Sequence, residues 1–540
     1  MNPMKKVYIT GHRNPDIDSV CSAYAYAQLK KILDPSSEYI PVRCGHLSDS
    51  VKSQLDFIGF EPQPYMRDVH PKVSDVMLKP DIVLDADSPI YNLVNVYSMK
   101  QPSVIPVTEK GQFYGLLSVD DITAWFLEDN SATVPVYDFS VRNIASVIPG
   151  RILRKGESDE FRASLVAGAA DIESFKTFVR PNSPSMLVMG LRRDHLEYAM
   201  KMQIPAIIIT ATETVEDVDF SEYKGLVYST RLGTAEAMRR LRMAEPVRRI
   251  MGTQGARLQV SDLFDDAKEL LATSSLRGLP VFDGDRWVGF VTRRCFLSKP
   301  LYNVILVDHN EASQSIRGVE EANILEVIDH HRVNAPKTRT PILFDVEPLG
   351  STCTIVHQMF MRSGLIPDTM TSKVLLTGVI CDTLMLKSPT TTAIDITSAG
   401  QLASMCGVDD LEAFGKSLFS KSESLSTRDP ATVIGSDFKS YTENGQKIGV
   451  GQCEVPTLDD LKDYMDVYLE KLAEKSRSGG YTWTLLMVTD VLHGNSVLLT
   501  SPCKFERKLS YVQIHEHVFD MPGVLSRKMQ LLPEILHAMG

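Results

Sequence analysis

The stretch Val7-Tyr8-Ile9-Thr10-Gly11-His12-Arg13-Asn14-Pro15-Asp16-Ile17-Asp18-Ser19 decides the fold class of this chain. Strand-forming residues run into a polar loop, and the Ala/Tyr/Leu-rich segment from Val20 to Lys31 predicts a helix behind it, so the chain opens as an α/β unit. The same style resumes after residue 300. There Val304-Ile305-Leu306-Val307 runs into Asp308-His309-Asn310, and Ile324 to Ile328 runs into Asp329-His330-His331. In open parallel sheets functional groups collect at the C-terminal ends of strands, so these loops are where a site should form.

His12, Asp16 and Asp18 crowd a single turn. Uncompensated, the two carboxylates would repel, and a bound divalent cation accounts for them. The competing local reading makes Asp18 or Ser19 a helix N-cap and leaves His12 solvated. Adding Asp308-His309-Asn310, Asp329-His330-His331 and Cys381-Asp382 favours the cation, since each follows an apolar run that would deliver it to a sheet edge. Mixed His and Asp ligands suit Mn²⁺, Co²⁺ or Mg²⁺, and the lack of cysteine ligands disfavours a structural zinc. Carboxylates in excess of imidazoles allow bridging of two ions roughly 3.5–4 Å apart, the arrangement of two-metal phosphoryl chemistry.

The wider composition bounds the rest. A chain of 540 residues exceeds a single core. With 57 basic against 68 acidic residues, the net charge of -11 argues against a broad sequence-independent grip on nucleic acid. The eight cysteines form no C-x-x-C pair, which fits reduced thiols in a cytoplasmic protein. Neither a signal peptide nor an apolar stretch of membrane length is expected.

Between the two α/β pieces the chain repeats itself at an offset of 174 residues. Met77 then meets Met251, Pro106-Val107 meets Pro280-Val281, and Gly115 meets Gly289. The separator carries strand-type runs at Ser185 to Met189 and Ala206 to Thr210, with a helix predicted from Asp194 to Met202, and so reads as a domain of its own. Lys416 to Asp429 reads as a hinge before a final segment. Outside the loops above, the histidines lack telling neighbours. In His515-Glu516-His517, alternation would place the two histidines on one exposed face of a strand.

The ordered set G-H-x-N-P-D-x-D-S, D-H-N and D-H-H resembles the DHH phosphoesterase superfamily, in particular family II inorganic pyrophosphatases, and Ser526-Arg527-Lys528 resembles the signature of that family's second domain. The resemblance implies a manganese- or cobalt-dependent hydrolysis of pyrophosphate to two phosphates by a hydroxide activated between two metals, with Mg²⁺ possible at the substrate. It implies His12, Asp16, Asp308 and Asp382 around one metal and Asp18, His330, Asp308 and Asp382 around the other. His331, Lys439, Arg527 and Lys528 would face the phosphate oxygens, with His309 behind the ligands. Rival readings are another DHH phosphodiesterase or nuclease and a nucleotide sensor with an inactive core. The former relatives carry a Gly-Gly-Gly-His-like signature that this chain lacks, and the complete ligand set weighs against the latter.

The repeated unit resembles the CBS domain, and the separator looks like a DRTGG domain on Val188-Met189-Gly190-Leu191-Arg192-Arg193 and Ile207-Ile208-Ile209-Thr210. These resemblances imply regulation by adenine nucleotides (AMP, ADP, ATP, diadenosine polyphosphates) and a homodimer. Ser118 and Asp121 fit the ribose contact of the first copy. In the second, Thr292 is followed by Arg293, Arg294 and Cys295 where the acid would fall; ribose recognition is in doubt there, and Arg293 could contact phosphate. The implied fold class is α/β: a parallel-sheet DHH domain (1–65 and 301–427), interrupted by CBS 1 (68–128), a DRTGG-like domain (130–245) and CBS 2 (246–300), then a C-terminal DHHA2 α/β domain (428–540).

Overall fold

A computed structural model describes residues 4–127, 134–252, 255–421, 425–443 and 445–540. Strands Lys5–Thr10, Ser37–Val42, Asn303–Val307, Asn323–Asp329 and Leu343–Val346 form one sheet in which every neighbouring pair is parallel. Numbered along the chain, they lie in the order 2-1-3-4-5. Their near-continuous apolar runs reflect burial on both faces. Ile9, Ile305, Val307 and Ile328 pack into one core with helices Ile17–Leu33, Thr352–Arg362 and Thr369–Asp382, while Val304, Leu306 and Val327 enter a second. The order reverses between Lys5–Thr10 and Asn303–Val307, the switch point where ligands of such sheets bind.

The chain divides into two units, residues 1–70 with 301–540 and residues 71–300. The first also holds a mixed six-stranded sheet, in the order Phe438–Glu443, Gln446–Val455, Trp483–Asp490, Asn495–Thr500, Val518–Pro522, Val512–His515. In the second, the sequence repeat becomes a backbone repeat. Leu84 pairs with Val107 as Leu258 pairs with Val281, and both antiparallel ladders carry an irregularity just after those valines. A repeated bulge is a designed kink of the unit, not a local accident. Between the copies stands a six-stranded sheet whose centre is Ser185–Gly190 and Ala206–Thr210, with helix Arg193–Lys201 connecting them. The α/β class read from the sequence is therefore observed, as is the interruption of the parallel sheet by an insert. Among the described residues no helix is long and apolar enough to cross a membrane.

Several local expectations need correction. Helix Ile17–Leu33 starts three residues before Val20, capped by Asp16, whose side chain accepts from Ser19 N, so neither Asp18 nor Ser19 is the cap. Cys381-Asp382 is delivered by the end of helix Thr369–Asp382 and not by a strand; a helix buried nearly all round presents an apolar run that mimics a core strand. The expected hinge begins inside helix Leu411–Phe419, because Leu418 and Phe419 bury their side chains, and residues 422–424 lie outside the described ones, as does the expected domain start at 130. His517 does not continue the strand of His515. It sits at φ 61° and its Nδ1 lies 2.8 Å from Glu506 Oε2.

Candidate active site

Three strand ends at the switch point supply the site. After Thr10 the chain turns at Gly11, where a Cβ would lie 1.9 Å from Ser19 Oγ, and His12 N donates to that hydroxyl at 3.0 Å. The tight turn brings His12 Nε2 to 3.2 Å from Asp16 Oδ2 and 3.3 Å from Asp308 Oδ2. Asp308 follows strand Asn303–Val307 in the left-handed region at φ 60°, a conformation costly for a residue with a Cβ and found where function demands it. His330 follows strand Asn323–Asp329 and aligns its Nδ1 with the carbonyl of Leu349 at 3.0 Å. Its Nε2 is thereby left facing Asp308 Oδ1 and Asp382 Oδ2, each at 3.5 Å.

Ligand-type atoms consequently gather in overlapping groups, each within 4.8 Å: His12, Asp16 and Asp308; Asp18, His330 and Asp382; and Asp308, His330 and His331. Asp308 belongs to two of them through different neighbours, as a bridging carboxylate requires. Its Oδ2 is buried without a hydrogen-bond partner. Burial, then the charges of Asp18 and Asp16, push both the Asp308 and Asp382 carboxyls well above the usual carboxylate range. An orphaned buried oxygen and mutually repelling acids are what a divalent cation would relieve, and two imidazoles supplement the carboxylates. The donor set fits a pair of such ions.

The neighbours of this cluster explain its orientation. Asp329 is fully buried and accepts from the backbone N–H groups of His330 and His331, while His331 Nδ1 lies 2.9 Å from it. Burial alone would raise its pKa, but the bonds and charge of His331, with a bond from the Asn310 amide, hold it down at about 2. His309 turns its Nδ1 to the Val307 carbonyl, 2.8 Å away, and joins none of the ligand groups. Burial lowers its pKa to about 4.

Basic groups come from strand Phe438–Glu443, from the helical turn Arg527–Leu531 and from Arg332 after the D-H-H run. Lys439, on strand Phe438–Glu443, has its pKa lowered first by burial and then by Arg527, Lys528 and Arg332. Lys528 is exposed and also lowers the pKa of His331, after burial and His330. Arg527 is placed differently from the other two. It is nearly buried, and its guanidinium donates to the Asp437 carbonyl at 2.6 Å, to Asp437 Oδ1 at 3.0 Å and to the Val450 carbonyl at 3.3 Å. Sequence reasoning passed over Arg332, although it directly follows the D-H-H run. It also passed over Ser351-Thr352-Cys353, where a Gly-Ser-Thr helix start was the available signal.

In the insert, Asp121 Oδ2 accepts from Ser118 N at 2.8 Å and from Ser118 Oγ at 2.6 Å. Cys295 occupies the same position in the second copy, with its Sγ 3.3 Å from Thr292 N and 3.7 Å from Thr292 Oγ1. A cavity of about 440 Å³ opens between the copies, lined among others by Ser118, Asp120, Asp121, Gly252 and Arg277. Asp120 and Arg277 face each other there through two bonds of 2.6 and 2.8 Å. Thr292 and Arg293 do not line it; Arg293 donates to the Ser274 carbonyl at 3.1 Å.

Comparisons with known proteins identify the family. A profile described as DHH family, N-terminal domain, matches residues 6–381, and one described as DHHA2 domain matches residues 416–538. The cobalt-dependent inorganic pyrophosphatase of Clostridium perfringens is 30% identical over 98% of this chain and 97% of its own length. The probable manganese-dependent inorganic pyrophosphatase of Thermotoga maritima is 28% identical over 99% of this chain and 98% of its own. Among solved structures, the CBS and DRTGG domains of the regulatory region of Clostridium perfringens pyrophosphatase, complexed with the activator diadenosine tetraphosphate, cover 41% of this chain and 99% of that one at 22% identity, with a TM-score of 0.36. With a profile spanning more than half of its length and a relative matched almost end to end, this chain belongs to the DHH family and, within it, to the family II inorganic pyrophosphatases.

Proposed function

We propose that this chain hydrolyses inorganic pyrophosphate to two phosphates at a pair of divalent cations, Mn²⁺ or Co²⁺ in preference, with Mg²⁺ accompanying the substrate. The observation that carries the reading is the overlap of two ligand groups through Asp308 at the switch point of the parallel sheet. His12, Asp16, Asp18, Asp308, His330 and Asp382 would hold the cations. Such a pair supplies Lewis acidity at phosphorus and makes water nucleophilic at neutral pH.

The chain's own groups do the rest. Lys439, Lys528 and Arg332 present positive charge to the phosphate oxygens, which is most of what phosphoryl transfer asks of a protein. Arg527 contributes by holding Asp437, two residues before Lys439, and so fixes the strand that carries the lysine. With its Nδ1 engaged by Asp329, His331 keeps Nε2 for the substrate. Phosphate release from pyrophosphate, compared with hydrolysis of a short oligonucleotide under Mn²⁺, Co²⁺ or Mg²⁺, tests the assignment. Faster turnover of the oligonucleotide, or none of pyrophosphate, would overturn it.

The insert would then be regulatory. We assign residues 68–128 and 246–300 to a CBS pair and 130–245 to a DRTGG-like domain, within a catalytic domain of 1–65 and 301–427 followed by a DHHA2 domain at 428–540. Adenine nucleotides would enter the cavity at Ser118 and Asp121, AMP and ADP inhibiting and diadenosine polyphosphates activating. The repeat and its cavity support this reading, as does a relative that aligns across the insert. Regulation requires different affinities for two states of the enzyme, not tight binding alone. The protein would act as a cytoplasmic homodimer. Titration with AMP and diadenosine tetraphosphate tests the regulatory part: activity unchanged by both would refute it.

A further inference from the structure

The segment Gly350-Ser351-Thr352-Cys353-Thr354 opens helix Thr352–Arg362 beneath the candidate metal groups, and it donates repeatedly to buried carboxylates. Asp18 Oδ1 accepts from Ser351 Oγ at 2.6 Å and from Cys353 N at 3.0 Å, and its Oδ2 accepts from Thr352 N at 2.7 Å. The Thr352 hydroxyl donates to Asp308 Oδ1 at 3.0 Å. A hydroxyl has a single proton to give, and Thr352 gives it here. Asp18, Ser351, Thr352, Cys353 and Asp308 are each no more than 1% exposed, so water does not compete for these bonds.

The contact with Thr352 fixes how the Asp308 carboxylate is turned. Oδ1, held by the hydroxyl, faces His330 Nε2 at 3.5 Å, and Oδ2, without a hydrogen bond, faces His12 Nε2 at 3.3 Å. Each oxygen is thereby committed to a different ligand group. If the carboxylate were free to rotate, both oxygens could serve one group and leave the other short of a ligand. The clamp is itself braced from behind. Asp395, fully buried, accepts from Gly350 N at 2.9 Å and from Thr354 Oγ1 at 2.6 Å.

We propose that Thr352 is a positioning residue that divides the two oxygens of Asp308 between the paired cation sites, while Ser351 and the helix N-terminus lock Asp18 beside it. This rests on the metal-dependent reading given above. The segment touches no cation; it sets how well one is held, as groups bonded to metal ligands commonly do.

The test uses the full-length, metal-stripped protein and Mn²⁺ alone. Calorimetric titration measures Mn²⁺ affinity, thermal unfolding without metal measures the fold, and phosphate release is recorded separately. Thr352→Val removes the hydroxyl and should weaken Mn²⁺ binding by about 10- to 100-fold. Thr352→Ser, which restores the hydroxyl, should stay within about threefold of the parent. Ser351→Ala removes one of three donors to Asp18 and should weaken binding by about tenfold or less, which keeps the idea testable should Thr352→Val not fold. A folded Thr352→Val protein with the parent's affinity, or a Ser variant as weak as the Val one, would overturn the role of the hydroxyl while leaving the metal reading intact. Parent protein that binds no Mn²⁺ would sink both.

Discussion

Gly378 gives the most direct handle on how the core shapes the site. It lies inside helix Thr369–Asp382, and a Cβ there would sit 2.3 Å from Cys353 Sγ, 3.0 Å from Cys353 Cβ and 3.0 Å from Asp18 Oδ1. Carbon atoms pack at about 3.5–4.0 Å, so Gly378→Ala must push Cys353 aside by an ångström or more. Cys353 and Asp18 are both buried and bonded to each other, so neither has free space to enter. Two effects then oppose. Alanine in a helix interior gains about 1 kcal/mol over glycine, whereas overpacking a filled core costs about 1–3 kcal/mol. A net loss of about 0–2 kcal/mol is expected in metal-free protein by urea unfolding, against a gain at an unhindered position. Mn²⁺ affinity should fall by about tenfold because Asp18 is displaced. Gly400 is the control: it lies in helix Ala393–Cys406 with nothing within 4 Å of its added Cβ, so Gly400→Ala should stabilise by up to about 1 kcal/mol and leave Mn²⁺ binding unchanged. Equal stabilisation by both substitutions, with affinity intact in both, would refute the claim that Gly378 makes room for the Asp18 clamp.

Other tests address other parts of the molecule. Asp382→Ala should take a ligand from both cation sites and lower pyrophosphate turnover by more than about a hundredfold, and turnover near the parent's would exclude Asp382 as a ligand. Binding only the folded state, Mn²⁺ at about a thousand times its dissociation constant should add about 4 kcal/mol of stability, an increment that Asp308→Asn should largely abolish in thermal scans. His357 is fully buried with neither ring nitrogen bonded, and burial lowers its pKa to about 4 from 6.5. The unfolded chain therefore takes up the proton first, and stability is lost as pH falls below 6.5 toward 4. Between pH 7.5 and 5 this amounts to about 2 kcal/mol, which His357→Leu should spare; equal acid sensitivity in both proteins would show that His357 is not responsible. For the insert, Asp121→Asn should weaken AMP binding by about tenfold or more while Cys295→Ser leaves it within about twofold. The reverse ranking in a binding titration would move the nucleotide to the other copy.

The chemistry of the centre was legible in the chain because its ligands sit where strands end. His12, Asp308 and His330 each follow an apolar run, and runs of that kind become parallel strands whose C-terminal ends must meet. The repeat was equally legible, since identical local patterns fold into identical units, down to the irregularity after Val107 and Val281. Asp382 was found by its motif but assigned to the wrong kind of element, because an apolar run buried on all sides carries no periodicity.

What only the tertiary structure decided are the contacts between residues far apart in sequence. Asp18 is held by a helix start more than three hundred residues away, and Thr352 reaches Asp308 across a separation of 44. Arg527, expected to face the phosphate oxygens, also engages Asp437 and the Val450 carbonyl through its two terminal nitrogens, while its Nε is buried without a partner. Sequence by itself determines which groups exist and which local element presents them, because helix and strand patterns are short-range. The orientation of a carboxylate, and which of its oxygens remains free for a cation, depends on hydrogen bonds that exist only once the core has closed around it.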